Sequence, residues 1–371
     1  MRVVEATLHV VRLPLVHSFE TSSHRKDHLD HIVVELVDES GATGWGEIAS
    51  QSAPYFSPET VETTWHITQR YLLPSILGIS WDHPAQVQAL WRKVRGHEFA
   101  KAGVDTAAWV LWSTMKGLSL SKALGGNRDQ VKAGVSLGIE PTIDELIAQV
   151  HKHVEAGYAR VKLKIAPGWD VEPVREVRAV FPEQDLHVDA NGAYQSTEQD
   201  FDQLRKLDDL GLTMIEQPFS PRDFLSHARL QAILGTPVCL DESVSTIDDL
   251  RTMIALQAGK ILNIKVSRMG GLTKAREAHD LARDHDIPVW CGGMHEFGIG
   301  RAANVAISSL ENFTLPSDVS GSDKYYRRDI IRPPVVTALG SVDVPVAPGL
   351  GFEVDREWMS ENTLKKETVG I

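Results

Sequence analysis

The sequence is poor in cysteine and carries no excess of positive charge. Among its 371 residues the only cysteines are Cys239 and Cys291, and we expect both to be buried thiols in a reducing cytoplasm. Acidic residues number 50 against 38 lysines and arginines, which gives a formal net charge of -12. This balance argues against nucleic acid and anionic membranes as partners, because both select basic surfaces.

Long apolar runs and biased segments are also missing. No uninterrupted apolar stretch is long enough to cross a bilayer, and the first residues, MRVVEA, lack the apolar core of a signal peptide. No low-complexity tract or long charge block indicates a flexible linker. The apolar content of 42% and the charged fraction of 24% are typical of a soluble globular protein. We therefore expect a cytoplasmic protein without a membrane partner.

What the sequence does contain is a series of short apolar runs that each end in a charged residue. They end at Lys164, Asp189, Glu216, Asp241 and Lys265, at intervals of 25, 27, 25 and 24 residues. Each interval holds one amphipathic segment of helix length, which is the signature of consecutive βα units and a parallel sheet. Seven or eight such units predict a (β/α)8-type barrel, in which polar residues at the carboxyl ends of strands form the active site.

The chain divides into three predicted segments. Residues 1–125 place antiparallel strands before helices, which indicates an α+β capping domain. Residues 126–320 form the barrel, and residues 321–371, rich in proline and glycine, return to the capping domain. A chain of 371 residues is long enough for a barrel plus a second domain.

Within the first segment the hydrophobic pattern predicts both strands and helices. Strands are expected over 3–13, 32–37 and 43–48, and helices over 58–77 with Ser57 as the cap, 84–94 and 98–116. Two polar segments, 17–28 and 52–57, have no periodicity. We expect them to be mobile loops near the barrel mouth that could serve as lids.

Three carboxylates on consecutive strand ends predict a metal site. Asp189, Glu216 and Asp241 would point at one spot, where their repulsion would raise their pKa values unless a cation is present. Oxygen ligands without cysteine or histidine suit a hard cation such as Mg²⁺ and disfavour zinc. Glu242 beside Asp241 is either a supporting partner of the site or an acid that opens the next helix, and the sequence leaves both open.

Three lysines flank these carboxylates. Lys162 and Lys164 lie two residues apart on one strand and share a face, an arrangement that alone would suggest an ordinary edge strand. Lys265 lies one strand beyond the acids, and a buried stem with a surface head is its alternative. Near a divalent cation in a dry pocket the pKa of a lysine falls, which makes it a general base. Lysines on opposite sides of a bound substrate predict proton abstraction α to a carboxylate.

These motifs resemble a known superfamily. Lys162 with Lys164, Asp189 with Asn191, Glu216-Gln-Pro218, Asp241 with Glu242, and Lys265 resemble the enolase superfamily in its muconate-lactonizing-like subgroup. The segments PYFSPETVET (54–63), VKLKIAPGWD (161–170) and CGGMHEFGIGRAAN (291–304) are similar to the o-succinylbenzoate synthase / N-acylamino acid racemase family. The resemblance covers nearly the whole chain. It implies a barrel whose last unit departs from the eightfold pattern, under a capping domain.

The resemblance also implies roles for individual residues. Asp189, Glu216 and Asp241 would bind Mg²⁺, with Mn²⁺ able to substitute. Lys164 would be the base on one face of the substrate and Lys265 the base on the other, while Lys162 would stabilise the substrate carboxylate and lower the pKa of Lys164. The residues expected around the substrate are Ser136, Asn191, the backbone at Gly293 and Met294, and the closing loops at Phe19 and Tyr55.

The implied substrate is a small carboxylate, and two reactions stay open. One is the dehydration of 2-succinyl-6-hydroxy-2,4-cyclohexadiene-1-carboxylate by an o-succinylbenzoate synthase of menaquinone biosynthesis, with racemisation of N-acyl (N-succinyl) amino acids beside it. The other is a dedicated N-acylamino acid or N-succinylamino acid racemase. In both cases we expect a homo-oligomer.

Two residues qualify the resemblance. His295 stands where the family is expected to have an apolar residue, which affects the contacts of the last loop. Arg268 follows Lys265 by three residues. Its guanidinium would lower the pKa of Lys265 and favour a two-base racemase, and a solvated surface arginine is the alternative.

Other functional classes fit the sequence less well. Gly298-Ile-Gly300-Arg-Ala-Ala303 looks like a dinucleotide fingerprint, but too little chain follows it for the further βα units of such a domain. A non-catalytic binding protein would gain nothing from three inward carboxylates and three inward lysines, each costly to bury. A magnesium-dependent sugar-acid dehydratase would more usually offer a histidine–aspartate base, and no predicted strand end before His295 carries a histidine.

Overall fold

The computed structural model describes residues 1–20 and 25–371, with side chains described over 1–16 and 27–371. The chain begins with three antiparallel strands, β1 (Val3–Glu20), β2 (Arg25–Asp38) and β3 (Thr43–Ile48). The loop expected over 17–28 is wrong at both ends, because β1 and β2 continue into it and Phe19 pairs with Lys26. That segment lacks the apolar alternation from which a strand is predicted. The side chain of Phe19 lies outside the described residues.

Helices follow these strands and pack on their inner face. Thr60, rather than Ser57, caps the first helix, since its side chain accepts a hydrogen bond from the backbone of Thr63. Most of the long helix α4 is buried. The helical elements are α1 (Val61–Ile67), a π-helical turn (Thr68–Leu72), α2 (Leu73–Ile76), α3 (Ala85–Leu90), α4 (Glu98–Met115) and α5 (Leu120–Leu124).

The second layer is a curled parallel sheet with helices outside it. After the short strand β4 (Gln130–Lys132), seven parallel strands of the described chain pair in sequence order, as consecutive βα units require. The strands are β5 (Gly134–Leu137), β6 (Arg160–Lys164), β7 (Asp185–Asp189), β8 (Met214–Glu216), β9 (Val238–Leu240), β10 (Ile261–Ile264) and β11 (Val289–Cys291). The helices are α6 (Ile143–Glu155), α7 (Val171–Val180), α8 (Glu198–Arg205), α9 (Phe224–Ile233), α10 (Ile247–Leu256), α11 (Leu272–Arg283) and α12 (Gly298–Ser308).

Residues 312–318 close the ring between β11 and β5. On one side the backbone N–H of Gly134 donates to the carbonyl of Ser317 over 2.8 Å, and on the other the N–H of Asp318 donates to the carbonyl of Cys291 over 2.7 Å. Phe313 also forms a parallel bridge with Val289. This segment occupies the eighth strand position, and a 3-10 turn (Ser322–Lys324) follows it. The predicted α/β fold, a barrel with a modified last unit beside an α+β domain, is confirmed.

The last part of the chain returns to the first. It contains β12 (Ile331–Arg332), β13 (Ser341–Asp343), β14 (Glu353–Val354), α13 (Arg356–Glu361) and β15 (Thr363–Gly370). Strand β13 pairs with β4, and β15 pairs antiparallel with β1, which gives a four-stranded sheet in the order β15-β1-β2-β3. The boundaries at 125 and 320 stay predictions.

Apolar side chains fill the inside of the barrel below its polar strand ends. Met214, Cys239, Ile261 and Trp290 form one buried cluster there. Two residues after each of them, at the next inward-facing position, the chain carries a polar side chain or begins a loop. Cys239 and Cys291 are both buried free thiols, as predicted. In the part of the chain that is described, every helix is too short or too polar to cross a membrane.

Strand β3 and helix α4 are in backbone contact. A Cβ atom placed on Gly46 would lie 1.9 Å from the carbonyl oxygen of Gly103, and one on Gly44 would lie 2.2 Å from that of Ala107. Glycine is therefore required at these positions because any side chain would push the sheet away from the helix.

We expect Gly46→Ala to lower the melting temperature by several degrees, since overpacking of a tight core contact costs about 1–3 kcal/mol. Thermal unfolding followed by circular dichroism measures it. Gly138→Ala is the matched control, because a Cβ there meets no atom within 4 Å. A Gly46→Ala protein that melts together with the control would contradict the close contact.

Candidate active site

Three buried carboxylates lie side by side at the carboxyl ends of neighbouring strands. Asp189 ends β7, and Glu216, which ends β8, pairs with Asp189 in the sheet register. Asp241 directly follows β9. These residues are 1%, 0% and 1% exposed. Parallel strands bring their carboxyl ends to one edge, so the predicted acids do come together.

The three predicted lysines turn toward these acids. The ammonium of Lys162 lies 2.9 Å from a Glu216 oxygen and 3.3 Å from an Asp189 oxygen. Lys164 lies 2.6 Å from Asp189, and Lys265 lies 2.9 Å from Asp241. Lys265 is only 8% exposed, so its alternative placement with a surface head is wrong. The edge-strand alternative for Lys162 and Lys164 is wrong as well, because β6 lies between β5 and β7.

Lys164 and Lys265 stand on opposite sides of the barrel mouth. Their strands, β6 and β10, are four positions apart in the strand order. With 312–318 in the eighth position, four steps lead halfway around the ring. The acid-bearing strands β7, β8 and β9 fill the arc between them, so a molecule bound at the acids would face one lysine on each side.

The charges at the mouth shift one another's pKa values in different directions. Burial and the nearby Asp189 raise the pKa of Glu216 to about 8. Burial would raise the pKa of Asp241 too, but Arg268 and Lys265 outweigh it and the pKa is lowered. Burial would lower the pKa of Lys265, but the carboxylates of Asp241, Glu242 and Glu216 together outweigh burial and raise it. A lowered lysine pKa, which a base needs, therefore depends on how the carboxylate charge is shared.

Asn191 and Glu242 form a polar chain that leads away from Lys164. The amide oxygen of Asn191 accepts from Lys164, and its amide nitrogen donates to Glu242 over 2.8 Å. Helix α10 begins at Ile247 with Thr246 as its cap, so the alternative that Glu242 opens a helix is wrong. Burial, followed by repulsion from Asp241, raises the pKa of Glu242 to about 7.

Arg268 is buried against the site rather than solvated. It is 5% exposed and its guanidinium contacts the carboxylate of Asp241. Its remaining N–H groups donate to the carbonyl of Val244 over 3.1 Å and to that of Asn263 over 3.0 Å. The surface alternative for Arg268 is wrong, and its charge acts directly on the Asp241–Lys265 pair.

The loop after β11 joins the site to the capping domain. Met294 is 9% exposed and packs into the core of that domain. His295 has a positive φ of 60° and its ring lies 5.0 Å from that of Tyr325. The carboxylate of Glu47, on β3, accepts from the backbone of Phe297 over 2.8 Å. Gly293 and Met294 thus lie in a loop that contacts both domains.

A second capping segment reaches Lys265. The ring centroid of Phe56 lies 4.9 Å from the ammonium of Lys265, a cation–π distance. The neighbouring Tyr55 is 65% exposed. The aromatic residue of this segment that faces the site is therefore Phe56, the neighbour of the predicted Tyr55.

Family models match both parts of the chain. The model described as mandelate racemase / muconate lactonizing enzyme, N-terminal domain, matches residues 3–125, and the one described as enolase C-terminal domain-like matches residues 145–358. The chain belongs to the enolase superfamily.

Individual relatives agree with this assignment. A protein of Geobacillus stearothermophilus named o-succinylbenzoate synthase is 45% identical over 353 residues, which cover 95% of this chain and 94% of that protein. An Amycolatopsis protein named N-succinylamino acid racemase is 42% identical over 371 residues, with 100% of each covered. A solved structure of an enolase superfamily member from Listeria innocua superposes with a TM-score of 0.96 at 35% identity, covering 100% of this chain and 99% of that one.

Residues to which the sequence pattern assigns no role of their own complete this superfamily member's site. Gln217 has a positive φ of 39°, and its side-chain oxygen accepts from the backbone of Asp241 over 3.0 Å. Asn263 donates to Glu216 over 2.8 Å. Asp318, which contacts Lys162, lies 27 residues after Cys291, so extending the strand period by one more step would have found it.

The carboxylates of Asp189, Glu216 and Asp241 are ligands that suit a hard divalent cation, although in this structure each contacts a lysine. In the described residues no group of three or more ligating side chains stands in a geometry that could hold a metal ion. Two buried oxygens, Oε2 of Glu242 and Oδ1 of Asn263, have no hydrogen-bond partner in the same part of the chain. Burial, followed by repulsion from Asp189, raises the pKa of Glu216 to about 8, and such a buried group of carboxylates fits a cation of high charge.

We expect Gln217→Leu to weaken Mg²⁺ binding about 10–100-fold, because outer partners orient metal-ligating carboxylates. Gln217 fixes the backbone of Asp241, and leucine fills a similar volume without the hydrogen bonds. Isothermal titration calorimetry with Mg²⁺ measures the affinity. Gln195→Leu, on an exposed loop of the same barrel, is the control, and equal affinities in the two variants would refute the orienting role.

Proposed function

We propose that the protein is a Mg²⁺-dependent o-succinylbenzoate synthase that also racemises N-succinyl amino acids. The observation that carries the proposal is the placement of Lys164 and Lys265 on opposite sides of the cluster of Asp189, Glu216 and Asp241. Relatives at 42–45% identity bear the names of these two activities. The substrate class is a small carboxylate with an acidic α-proton.

Asp189, Glu216 and Asp241 would hold the cation, with Mn²⁺ able to substitute for Mg²⁺. Bound there, Mg²⁺ supplies positive charge beside the substrate carboxylate and so stabilises the negative charge that develops as the α-proton leaves. The ammonium of Lys162, 5% exposed and facing the same acids, pairs with the substrate carboxylate from the other side. Lys162 thereby orients the substrate for Lys164 on the same strand.

In the dehydration Lys164 acts first as base and then as acid. Its side chain is 31% exposed, more than those of Lys162 and Lys265, so it can reach a bound substrate. It takes the proton from the carbon that bears the carboxylate, and the bond from the adjacent ring carbon to its hydroxyl then breaks. Lys164 returns the proton to this hydroxyl, which leaves as water while the ring becomes aromatic. Lys265 remains an ammonium on the opposite face.

In the racemisation the two lysines alternate. One lysine is neutral and removes the α-proton from its face, while the other is protonated and donates to the opposite face. The resulting inversion at the α-carbon needs no other group. Lys265, which serves the dehydration only as a cation, is thus already in position to act as the second base of a racemase.

Further features belong to the same proposal. Ser136, Asn191 and the backbone at Gly293 and Met294 would contact the substrate, with closure by the segments that carry Phe19 and Tyr55. We propose that the enzyme works in menaquinone biosynthesis in the cytoplasm, as a homo-oligomer. The two buried free thiols support a reducing compartment.

Proton NMR in D₂O with Mg²⁺ and each enantiomer of an N-succinyl amino acid tests the two-base arrangement. We expect the α-proton of both enantiomers to exchange with solvent, because one lysine serves each face. The dehydration is followed separately by the ultraviolet change on aromatisation. Absence of both reactions would refute the proposal. Dehydration without exchange from either enantiomer would refute the racemisation, and exchange from one enantiomer only would refute the second base.

The buried Arg268 favours a second candidate, a dedicated racemase. Its guanidinium acts to lower the pKa of Lys265, against the larger effect of Asp241. A base at Lys265 matters for racemisation, whereas the dehydration needs it only as a cation. The proximity of Arg268 thus favours the two-base reaction.

We expect Arg268→Gln to reduce racemisation about tenfold more than dehydration, the ratio that one unit in the pKa of a base would produce. Steady-state kinetics of both reactions on the same preparation give the ratio. An equal loss of the two activities would show that Arg268 only supports Asp241.

A further inference from the structure

The eighth strand position carries a carboxylate that the proposed reaction does not use. Asp318 ends the closing segment 312–318, and its backbone N–H is bound to the carbonyl of Cys291 over 2.7 Å. Its side chain is 19% exposed and lies beside the first two strands of the barrel. The position is thus fixed by the backbone that closes the ring.

Three side chains from β5 and β6 converge on this carboxylate. Arg160 donates to Oδ1 of Asp318 over 2.8 Å, and the hydroxyl of Ser136 lies 3.4 Å from both oxygens. The ammonium of Lys162 lies 3.5 Å from Oδ2. Two of these three, Ser136 and Lys162, are residues that we place next to the substrate. Asp318 therefore contacts two groups that face the substrate.

Arg160 anchors the carboxylate rather than serving the substrate. It is 0% exposed, and its guanidinium also donates to the carbonyls of Val135 and Pro316 over 3.2 and 3.0 Å. The guanidinium carbon lies 5.1 Å from the centroid of the Trp290 ring. An arginine held on so many sides cannot turn toward the mouth, and it keeps Asp318 in one orientation.

Lys162 is consequently held between two sets of acids. On one side are Glu216 at 2.9 Å and Asp189 at 3.3 Å, which are the proposed metal ligands, and on the other is Asp318 at 3.5 Å. The attraction of Asp318 opposes that of the ligands. Without it, the ammonium would be drawn onto the two ligands alone and would compete with the cation for their oxygens.

We propose that Asp318 is a positioning residue for the proton abstraction: it holds the ammonium of Lys162 and the hydroxyl of Ser136 in place for the substrate and restrains Lys162 from the metal ligands. This inference rests on the proposed function and adds a residue to it. Asp318 acts mainly through Lys162, so its effect must fall to the small remainder carried by Ser136 when Lys162 is removed.

The test combines Asp318→Asn with Lys162→Ala. In the otherwise wild-type protein Asp318→Asn should lower kcat/KM of the dehydration and the affinity for o-succinylbenzoate, each about 10–100-fold, as loss of an orienting partner does. In the Lys162→Ala background the same substitution should change the o-succinylbenzoate affinity less than about threefold, because coupled residues are not additive. Calorimetric titration with o-succinylbenzoate gives the affinity even where turnover is lost.

Equal losses in the two backgrounds, or no loss in either, would overturn the positioning role. Asp170→Asn is the matched control, a buried carboxylate of the same barrel that is bound to Tyr194 and Gln203 and should leave turnover unchanged. If Asp318→Asn fails to fold because Arg160 loses its partner, both comparisons are made in the Arg160→Met background, which removes that buried charge. A wild-type protein without dehydration or racemisation defeats the proposed function itself, whereas an active wild type with an unaffected Asp318→Asn variant defeats only this inference.

Discussion

The structure depends on the balance of charge inside a closed barrel mouth. Asp189, Glu216 and Asp241 are buried at adjacent strand ends, and each is in contact with a lysine. Buried ion pairs cost about as much in desolvation as they gain, and removing one partner costs about 3–5 kcal/mol. The charged groups are therefore interdependent. In the proposed reaction the acids exchange their lysine partners for a cation, and the lysines become available to the substrate.

The remaining architecture keeps these charges apart and in register. The parallel strands bring the acids to one edge, and the closing segment 312–318 completes the ring so that β6 and β10 face each other. The capping domain closes the mouth through Glu47, which binds the loop after β11, and Phe56, which lies over Lys265. The two domains thus form one site, and the main apolar cluster of the barrel also contains capping-domain side chains such as Leu13 and Trp109.

Much of this arrangement could be predicted because it is periodic. A regular βα interval predicts the position of each strand end, and charged residues such as Asp189 and Lys265 stand at those positions. What could not be predicted depends on irregular backbone or on packing. Gln217 acts through a left-handed backbone, and only the folded loop decides that Phe56 faces the site. Asp318 lies between these cases: it falls on the strand period, but the segment that it ends forms no regular strand.

The measurement that tests the account most directly is calorimetric titration of the protein with Mg²⁺ in the absence of substrate, for the wild type and for Glu216→Gln. If the three acids share their charge between lysines and a divalent cation, the wild type binds a single Mg²⁺ per chain and the variant binds it far more weakly. A wild type that binds no Mg²⁺, or a variant that binds it with unchanged affinity, would contradict the central claim.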